Sequence, residues 1–289
     1  MAIPRIPSYP MPVAAPENRV SWQLDAQRAV LLVHDMQDYF IDFYDRSAAP
    51  IPELIANIAQ LIALAHERGI PVVYTAQLPE QTPSERGLLQ DMWGPGLTAQ
   101  PERAAIVSQL APQPHDVVLD KWRYSAFQKS NLRERMQAQG RDQLLICGVY
   151  AHIGCMMSAC EAFMHDIQPF FVADALADFS LEEHQMALLY VAQRCGSTQT
   201  CAALIASLEA AAPRTLSELR ALIAAQLQVS ADEIRDDDNL LDWGLDSIRI
   251  MTLLEDWRRA GRELTFMALA EQPTLAAWWK LLEPEAALA

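Results

Sequence analysis

The stretch AVLLVHDMQDYF, residues 29–40, decides how the chain is read. Ala29–His34 is apolar at consecutive positions rather than alternate ones. That pattern marks a strand buried on both faces of a parallel sheet, and here it ends on an acid, Asp35. Working outward, four runs of similar character follow: Ile70–Thr75 (IPVVYT), Asp116–Leu119 (DVVL), Gln143–Gly148 (QLLICG) and Pro169–Ala173 (PFFVA), with a weaker sixth after Gly196. Between them lie helical patterns such as Leu54, Ile58, Leu61 and Ala65, spaced as one face of a helix. Repeated strand–helix units predict an α/β fold, a three-layer sandwich around a parallel sheet, over residues 1–208.

Beyond Leu208 the character changes. The stretch EAAAPR reads as a linker over 209–214, and no strand-like run follows it. Leu216, Leu219, Ile223 and Leu227 make one helix face; Ile248, Met251 and Leu254 make a second; Leu275, Trp278 and Trp279 suggest a third. An acidic loop, IRDDDNLLDWG, separates the first two, so residues 215–289 read as a small all-α bundle.

Composition narrows the function classes. The chain has 289 residues, 51% of them hydrophobic, enough for one large and one small core. No apolar run is long enough to span a bilayer, and the proline-rich start lacks the pattern of a secretory signal, so a cytoplasmic location is expected. The five cysteines form no CxxC pair, which disfavours a disulfide framework or a structural zinc site. A net charge of −15 argues against nucleic acid or an anionic membrane as partner. Any anionic substrate then needs a local cationic pocket.

In a parallel α/β sheet, ligands bind beyond the carboxyl ends of the strands. Asp35 follows the first run; Gln77 follows the second, with Arg86 further along the same loop; Lys121 follows the third; and the turn GVYAHIGC, with Tyr150, His152, Gly154 and Cys155, follows the fourth. Singly, each has an ordinary explanation: a helix cap for Asp35, a solvated charge for Lys121, a small core residue for Cys155. Together, at consecutive strand ends, they make one candidate active site.

The strings HDMQDYF, DMWGPGL, KWRYSAF and GVYAHIGC resemble the isochorismatase-like hydrolases, and among them the siderophore isochorismatases. The resemblance covers the whole large domain. The amidases of that superfamily use an Asp, Lys, Cys triad; their cysteine position corresponds to Gly154 here, and Cys155 falls one residue late. One residue turns a helical side chain by about 100°, so Cys155 is expected to point away from substrate. The resemblance implies hydrolysis of isochorismate to 2,3-dihydro-2,3-dihydroxybenzoate and pyruvate, with Asp35, Lys121 and Gly154 as the catalytic set and no metal. Asp35 would protonate the enolpyruvyl methylene carbon. Lys121 beside it favours the carboxylate over the acid, while burial and the substrate's negative charge act the other way. Gln77, Arg86 and Tyr150 would bind the substrate, and Phe40, Trp93 and Tyr124 would wall the pocket. A cysteine amidase using Cys155, or an inert scaffold presenting the small domain, are the alternatives. Self-association is common among such proteins, so a homo-oligomer is expected.

In the small domain, Gly244–Ser247 reads GLDS after the acidic loop, at the spacing of acyl and peptidyl carrier proteins; the closing Trp278–Trp279 pair resembles aryl carriers of siderophore assembly. The resemblance implies a 4'-phosphopantetheine on Ser247, at a helix start whose free amides tolerate a phosphate. It also implies three partners: a phosphopantetheinyl transferase, a 2,3-dihydroxybenzoate-AMP ligase, and a nonribosomal peptide synthetase condensation domain of an enterobactin- or vibriobactin-type pathway. Phe266 and Met267 are candidate exposed anchors, with core packing the competing possibility.

Overall fold

The computed structural model describes residues 3–209, 213, 215–259, 262 and 264–282. Packing divides the chain into two compact units, residues 1–205 and 206–289. Most of the expected linker 209–214 lies outside the described residues.

The large unit is built on strands β1 (Ala29–His34), β2 (Val72–Gln77), β3 (Val117–Lys121), β4 (Gln143–Val149), β5 (Gln168–Ala177) and β6 (Ser197–Gln199). Its helices are α1 (Asp38–Ile41), α2 (Ile51–Glu67), α3 (Pro83–Arg86), α4 (Leu88–Trp93), α5 (Leu132–Ala138), α6 (Met156–Met164) and α7 (Leu181–Arg194), and α8 (Cys201–Glu209) begins in it and runs past its last residue. All strand pairs are parallel, in the order β3-β2-β1-β4-β5-β6. The chain therefore winds outward from β1 in one direction and from β4 in the other. The order reverses between β1 and β4, where such sheets open a crevice for ligands.

The element bounds follow from local hydrogen bonding. β2 starts at Val72, two residues later than its apolar run, because the Ile70 N–H donates to Ala65 O at the end of α2 and Pro71 has no N–H to give. β3 is an edge strand, and burial alternates along it: Val118 and Asp120 are exposed, Leu119 and Lys121 buried. It therefore lacks the two-sided burial expected of it, and Asp116 falls outside it, accepting a hydrogen bond from Gln113 N at 2.8 Å. β5 runs four residues past Ala173, after a register shift between Ile146 and Gly148. Asp174 disguises that extension in the sequence. Its side chain accepts from Cys201 N at 2.6 Å at the start of α8, and its carbonyl accepts from Asn57 at 2.6 Å.

The small unit contains α9 (Leu216–Leu227), α10 (Ser247–Arg259), α11 (Phe266–Glu271) and α12 (Leu275–Leu282). Leu219, Ile223, Leu240, Leu245 and Leu269 pack around Trp257 and Trp278, whose rings meet edge to face at 5.7 Å. The inward face of α10 is Ile250, Leu253, Leu254 and Trp257. This corrects the expected face: Ile248 is 76% exposed and Met251 44%. Both sets have helical spacing, and the one holding the large indole wins the core because it removes more apolar area from water.

Candidate active site and carrier serine

At the switch point His34 pairs in register with Gly148. The strands approach so closely that a Cβ on Gly148, whose φ is +114°, would stand 2.2 Å from His34 O. Immediately after β1, Asp35 takes a left-handed φ of +49°, a conformation aspartate tolerates better than most residues. Its N–H donates to Thr75 O at 3.2 Å and Thr75 Oγ1 at 3.1 Å. The Thr75 hydroxyl in turn donates to Asp35 Oδ1 at 2.6 Å. Lys121 Nζ donates to Asp35 Oδ2 at 3.1 Å, and both residues are buried. Three adjacent strands thus hold one acid–amine pair in a fixed geometry.

The turn after β4 is a π-helical one, Ala151–Cys155, leading into α6. A Cβ on Gly154 would lie 2.2 Å from His34 Cε1 and 2.7 Å from His34 Nε2. That ring cannot easily yield. It is 1% exposed, its Nδ1 is 2.8 Å from Val149 O, and its Nε2 is 3.3 Å from Tyr124 O. Burial pushes His34 down to about 4, so the ring is neutral, and the shorter contact takes its proton. Cys155 turns into the main core, fully buried, and desolvation pushes its thiol well up. It does not line the pocket.

A pocket of about 570 Å³, counted with its open mouth, occupies this point. It brings together Asp35, Lys121, Gly154, Gln77, Arg86, Tyr150, Phe40, Trp93 and Tyr124, but not His152 or Cys155 of the turn after β4. Gln77 and Lys121 are the last residues of their strands rather than the first beyond them. Arg86, 3% exposed, donates to Gly94 O at 3.0 Å and Gln81 Oε1 at 3.2 Å, and it forms no ion pair among the described residues. Its guanidinium lies so close to Gly96 that a Cβ there would come within 2.6 Å of it. Burial lowers the pKa of this arginine, a sign that its charge is held at a cost that an anion would repay.

The walls are aromatic. Tyr150 donates its hydroxyl to Phe40 O at 3.1 Å, and Trp93 Nε1 donates to the Tyr124 hydroxyl at 2.8 Å. Phe179 packs on Tyr150 at 4.6 Å and on Trp93 at 6.1 Å. Sequence reasoning missed Phe179, Tyr39, Arg123 and His34, which also line the pocket, and Thr75, which holds Asp35. Phe179 was out of reach because β5 ends at Ala177, not at Ala173. Thr75 could have been found, since it stands two residues before Gln77 on the strand end already quoted. His152 turns aside: its Nδ1 is 2.5 Å from Asp178 Oδ1.

In the small unit, Gly244 takes a φ of +94° and Leu245 anchors the turn in the core. Asp246, not Ser247, caps α10, accepting from Arg249 N at 2.9 Å. Ser247 is exposed, and its hydroxyl makes no hydrogen bond among the described residues. Such a serine, free at the amino end of a 13-residue helix, fits a phosphodiester-linked arm. Phe266 is partly buried against the core, whereas Met267 is 64% exposed, so of the two expected anchors only Met267 stands clear.

Fold and site define a parallel α/β enzyme with an acid–lysine pair at its switch point, joined to a helical unit that presents a serine. The chain matches the isochorismatase domain over residues 29–203 and the phosphopantetheine attachment site over residues 217–282. It belongs to the isochorismatase family. It is 52% identical over 298 residues to the isochorismatase of Bacillus subtilis (strain 168), covering 98% of this chain and 96% of that protein. It is 50% identical over 287 residues to enterobactin synthase component B of Escherichia coli (strain K12), covering 99% of each. A solved cysteine hydrolase from Pseudomonas syringae pv. phaseolicola 1448A shares the fold, with a TM-score of 0.61 and 23% identity over 67% of this chain and 97% of that one. Among the described residues, no helix is long and apolar enough to cross a membrane.

Proposed function

We propose that the large unit hydrolyses the enol ether of isochorismate, giving 2,3-dihydro-2,3-dihydroxybenzoate and pyruvate, and that the small unit carries a 2,3-dihydroxybenzoyl group during catecholate siderophore assembly. The observation that carries this reading is the buried Asp35–Lys121 pair in a pocket where Arg86 has no acid partner among the described residues. A dicarboxylate of this size supplies the missing anion, and the aromatic walls suit its ring.

Asp35, entering with its proton, gives it to the methylene carbon of the enolpyruvyl group. The carbon–carbon double bond becomes a methyl group beside an oxocarbenium centre. Lys121 and the Thr75 hydroxyl then stabilise the carboxylate left behind, through contacts already 3.1 Å and 2.6 Å long. Water adds to the oxocarbenium carbon, and the hemiketal breaks its bond to the ring oxygen, which takes up a proton as pyruvate leaves. No thiol takes part, in keeping with the burial of Cys155. Gly154 makes room for the His34 ring at the pocket wall, Gln77 offers a side-chain amide, and Tyr150, Phe40, Trp93 and Tyr124 limit the entry of bulk water.

Ser247 is the attachment point for 4'-phosphopantetheine, whose thiol, once in place, holds an aryl group as a thioester. A phosphopantetheinyl transferase is needed to attach the arm. A 2,3-dihydroxybenzoate-AMP ligase would load it, and a condensation domain of a nonribosomal peptide synthetase would receive its cargo, with Met267 among the side chains free to meet it.

The test is pyruvate release from isochorismate by the wild type and by Asp35→Asn and Cys155→Ala variants. The expected result is loss of turnover in Asp35→Asn, with folding retained by circular dichroism, and activity in Cys155→Ala. A dead Cys155→Ala that remains folded would return the site to cysteine chemistry.

A further inference from the structure

Two thiols unused by this chemistry face each other. Cys160 lies on α6 and Cys195 ends α7, 35 residues later, yet their Sγ atoms are 3.9 Å apart. Cys160 is half-buried and opens onto a groove bordered by Leu88, Met92, Met157, Glu161 and Met164. Cys195 stands behind it, 6% exposed. The other three cysteines are differently placed. Cys147, Cys155 and Cys201 are buried, and among the described residues none of them has a second sulfur within hydrogen-bonding reach. Cys147 donates to Leu32 O at 3.4 Å and Cys201 to Asn57 O at 3.7 Å.

We propose that Cys160 and Cys195 form an oxidisable pair that closes to an intrachain disulfide, with Cys160 the sulfur a hydroperoxide meets first and Cys195 the sulfur that resolves it. Contact with the Cys195 sulfur lowers the pKa of Cys160 from its ordinary value, against the opposing effect of burial. Cys195 is pushed the other way, by the same contact and by its burial. One sulfur is accessible at the groove while its neighbour is withheld behind it, the arrangement of a reactive thiol beside a resolving one.

The chemistry balances with a hydroperoxide as oxidant. The Cys160 thiolate attacks one peroxide oxygen, the O–O bond breaks, and hydroxide leaves; Cys160 becomes a sulfenic acid, oxidised by two electrons, as the peroxide is reduced. The Cys195 sulfur then attacks the Cys160 sulfur and the S–O bond breaks. The departing hydroxide takes the Cys195 proton as water. In sum, two thiols and one hydrogen peroxide give one disulfide and two waters. Closing from the present separation to a bond asks each sulfur to move by about 1 Å, within reach of side-chain rotation. The bond would tie α6, which starts at the turn bearing Gly154, to the carboxyl end of α7.

The full-length protein would be treated with hydrogen peroxide, alkylated, and digested without reduction for peptide mass analysis. The expected product is a peptide joining Cys160 to Cys195 within one chain, lighter by two hydrogens than its parts. In Cys195→Ser the oxidation should stop at Cys160 as a sulfenic acid that dimedone captures. In Cys160→Ser the cross-link should be lost and Cys195 should stay reduced at the same dose. Cys160 passing to sulfinic acid in the wild type without the cross-link, or a disulfide formed only between chains, would overturn the proposal. The wild-type peptide map decides alone if either variant fails to fold.

Discussion

Gly154 carries more of the site's shape than its size suggests. The His34 ring fills the space where its Cβ would stand, and the Val149 carbonyl and close burial hold that ring in place. Gly154→Ala should therefore destabilise the large unit by about 1–3 kcal/mol, as overpacking does, and cut pyruvate release. Adding His34→Ala should recover part of the thermal midpoint, and additive losses in the two variants would contradict the coupling. Arg86 should act on binding. Arg86→Gln is expected to raise KM about tenfold or more, the cost of one charge-assisted contact, with kcat less affected. An unchanged KM would mean that the substrate carboxylates bind elsewhere. Buried neutral histidines set the acid limit. His34, facing Asp35 and Lys121, and His184, facing Tyr9 and Asp178, are both pushed down to about 4 by burial. The unfolded chain takes up these protons near pH 6.5, before the native one can. The stability they contribute is thus complete above that pH and lost as pH falls toward about 4, up to about 3 kcal/mol for each. Urea midpoints measured between pH 7.5 and pH 5 should fall on acidification; a rise would refute this.

At the start of α10, two neighbouring residues divide two tasks. Asp246 caps the helix, while Ser247 is left exposed with its hydroxyl uncommitted. Asp246→Ala should lower the stability of the small unit by about 1 kcal/mol, seen as a lower midpoint for its transition in calorimetry. Ser247→Ala should leave that midpoint in place and abolish the mass gain on incubation with coenzyme A and a phosphopantetheinyl transferase. The GLDS string displayed the serine in the sequence, but not which of its last two residues serves as cap. That choice depends on which side chain meets the N–H of Arg249, and it is settled only when the turn folds. The same holds for α10 as a whole. Ile248, Met251 and Leu254 have helical spacing, yet the core takes Ile250, Leu253, Leu254 and Trp257. Spacing alone cannot choose between two overlapping faces when both hold apolar residues.

Across the whole molecule, the two chemistries reside in separately packed units, residues 1–205 and 206–289. They should fail separately. Asp35→Asn is expected to stop pyruvate release without affecting pantetheinylation, and Ser247→Ala to do the reverse. Assaying both activities on both variants checks this, and a variant that loses both while remaining folded would show that the units depend on each other. The net charge of −15 makes the pocket's cations the more telling, since Lys121, Arg86 and Arg123 gather there against the sign of the chain.

By itself, the sequence determined the parallel sheet, the helical second unit and most of the pocket, because continuous apolar runs and the polar residues that close them are local properties of the chain. Asp35, Gln77, Lys121 and the turn to Cys155 were legible for that reason: strands of one sheet that run in parallel bring their ends to one rim. What tertiary structure alone decided depends on residues far apart in sequence. Phe179 entered the pocket through a register shift in β5, and His34 became the neighbour that keeps position 154 without a side chain. Cys160 met Cys195 only because α6 and α7 pack together. Contacts of that kind leave no local pattern, since each is set by the packing of whole elements rather than by the residues on either side.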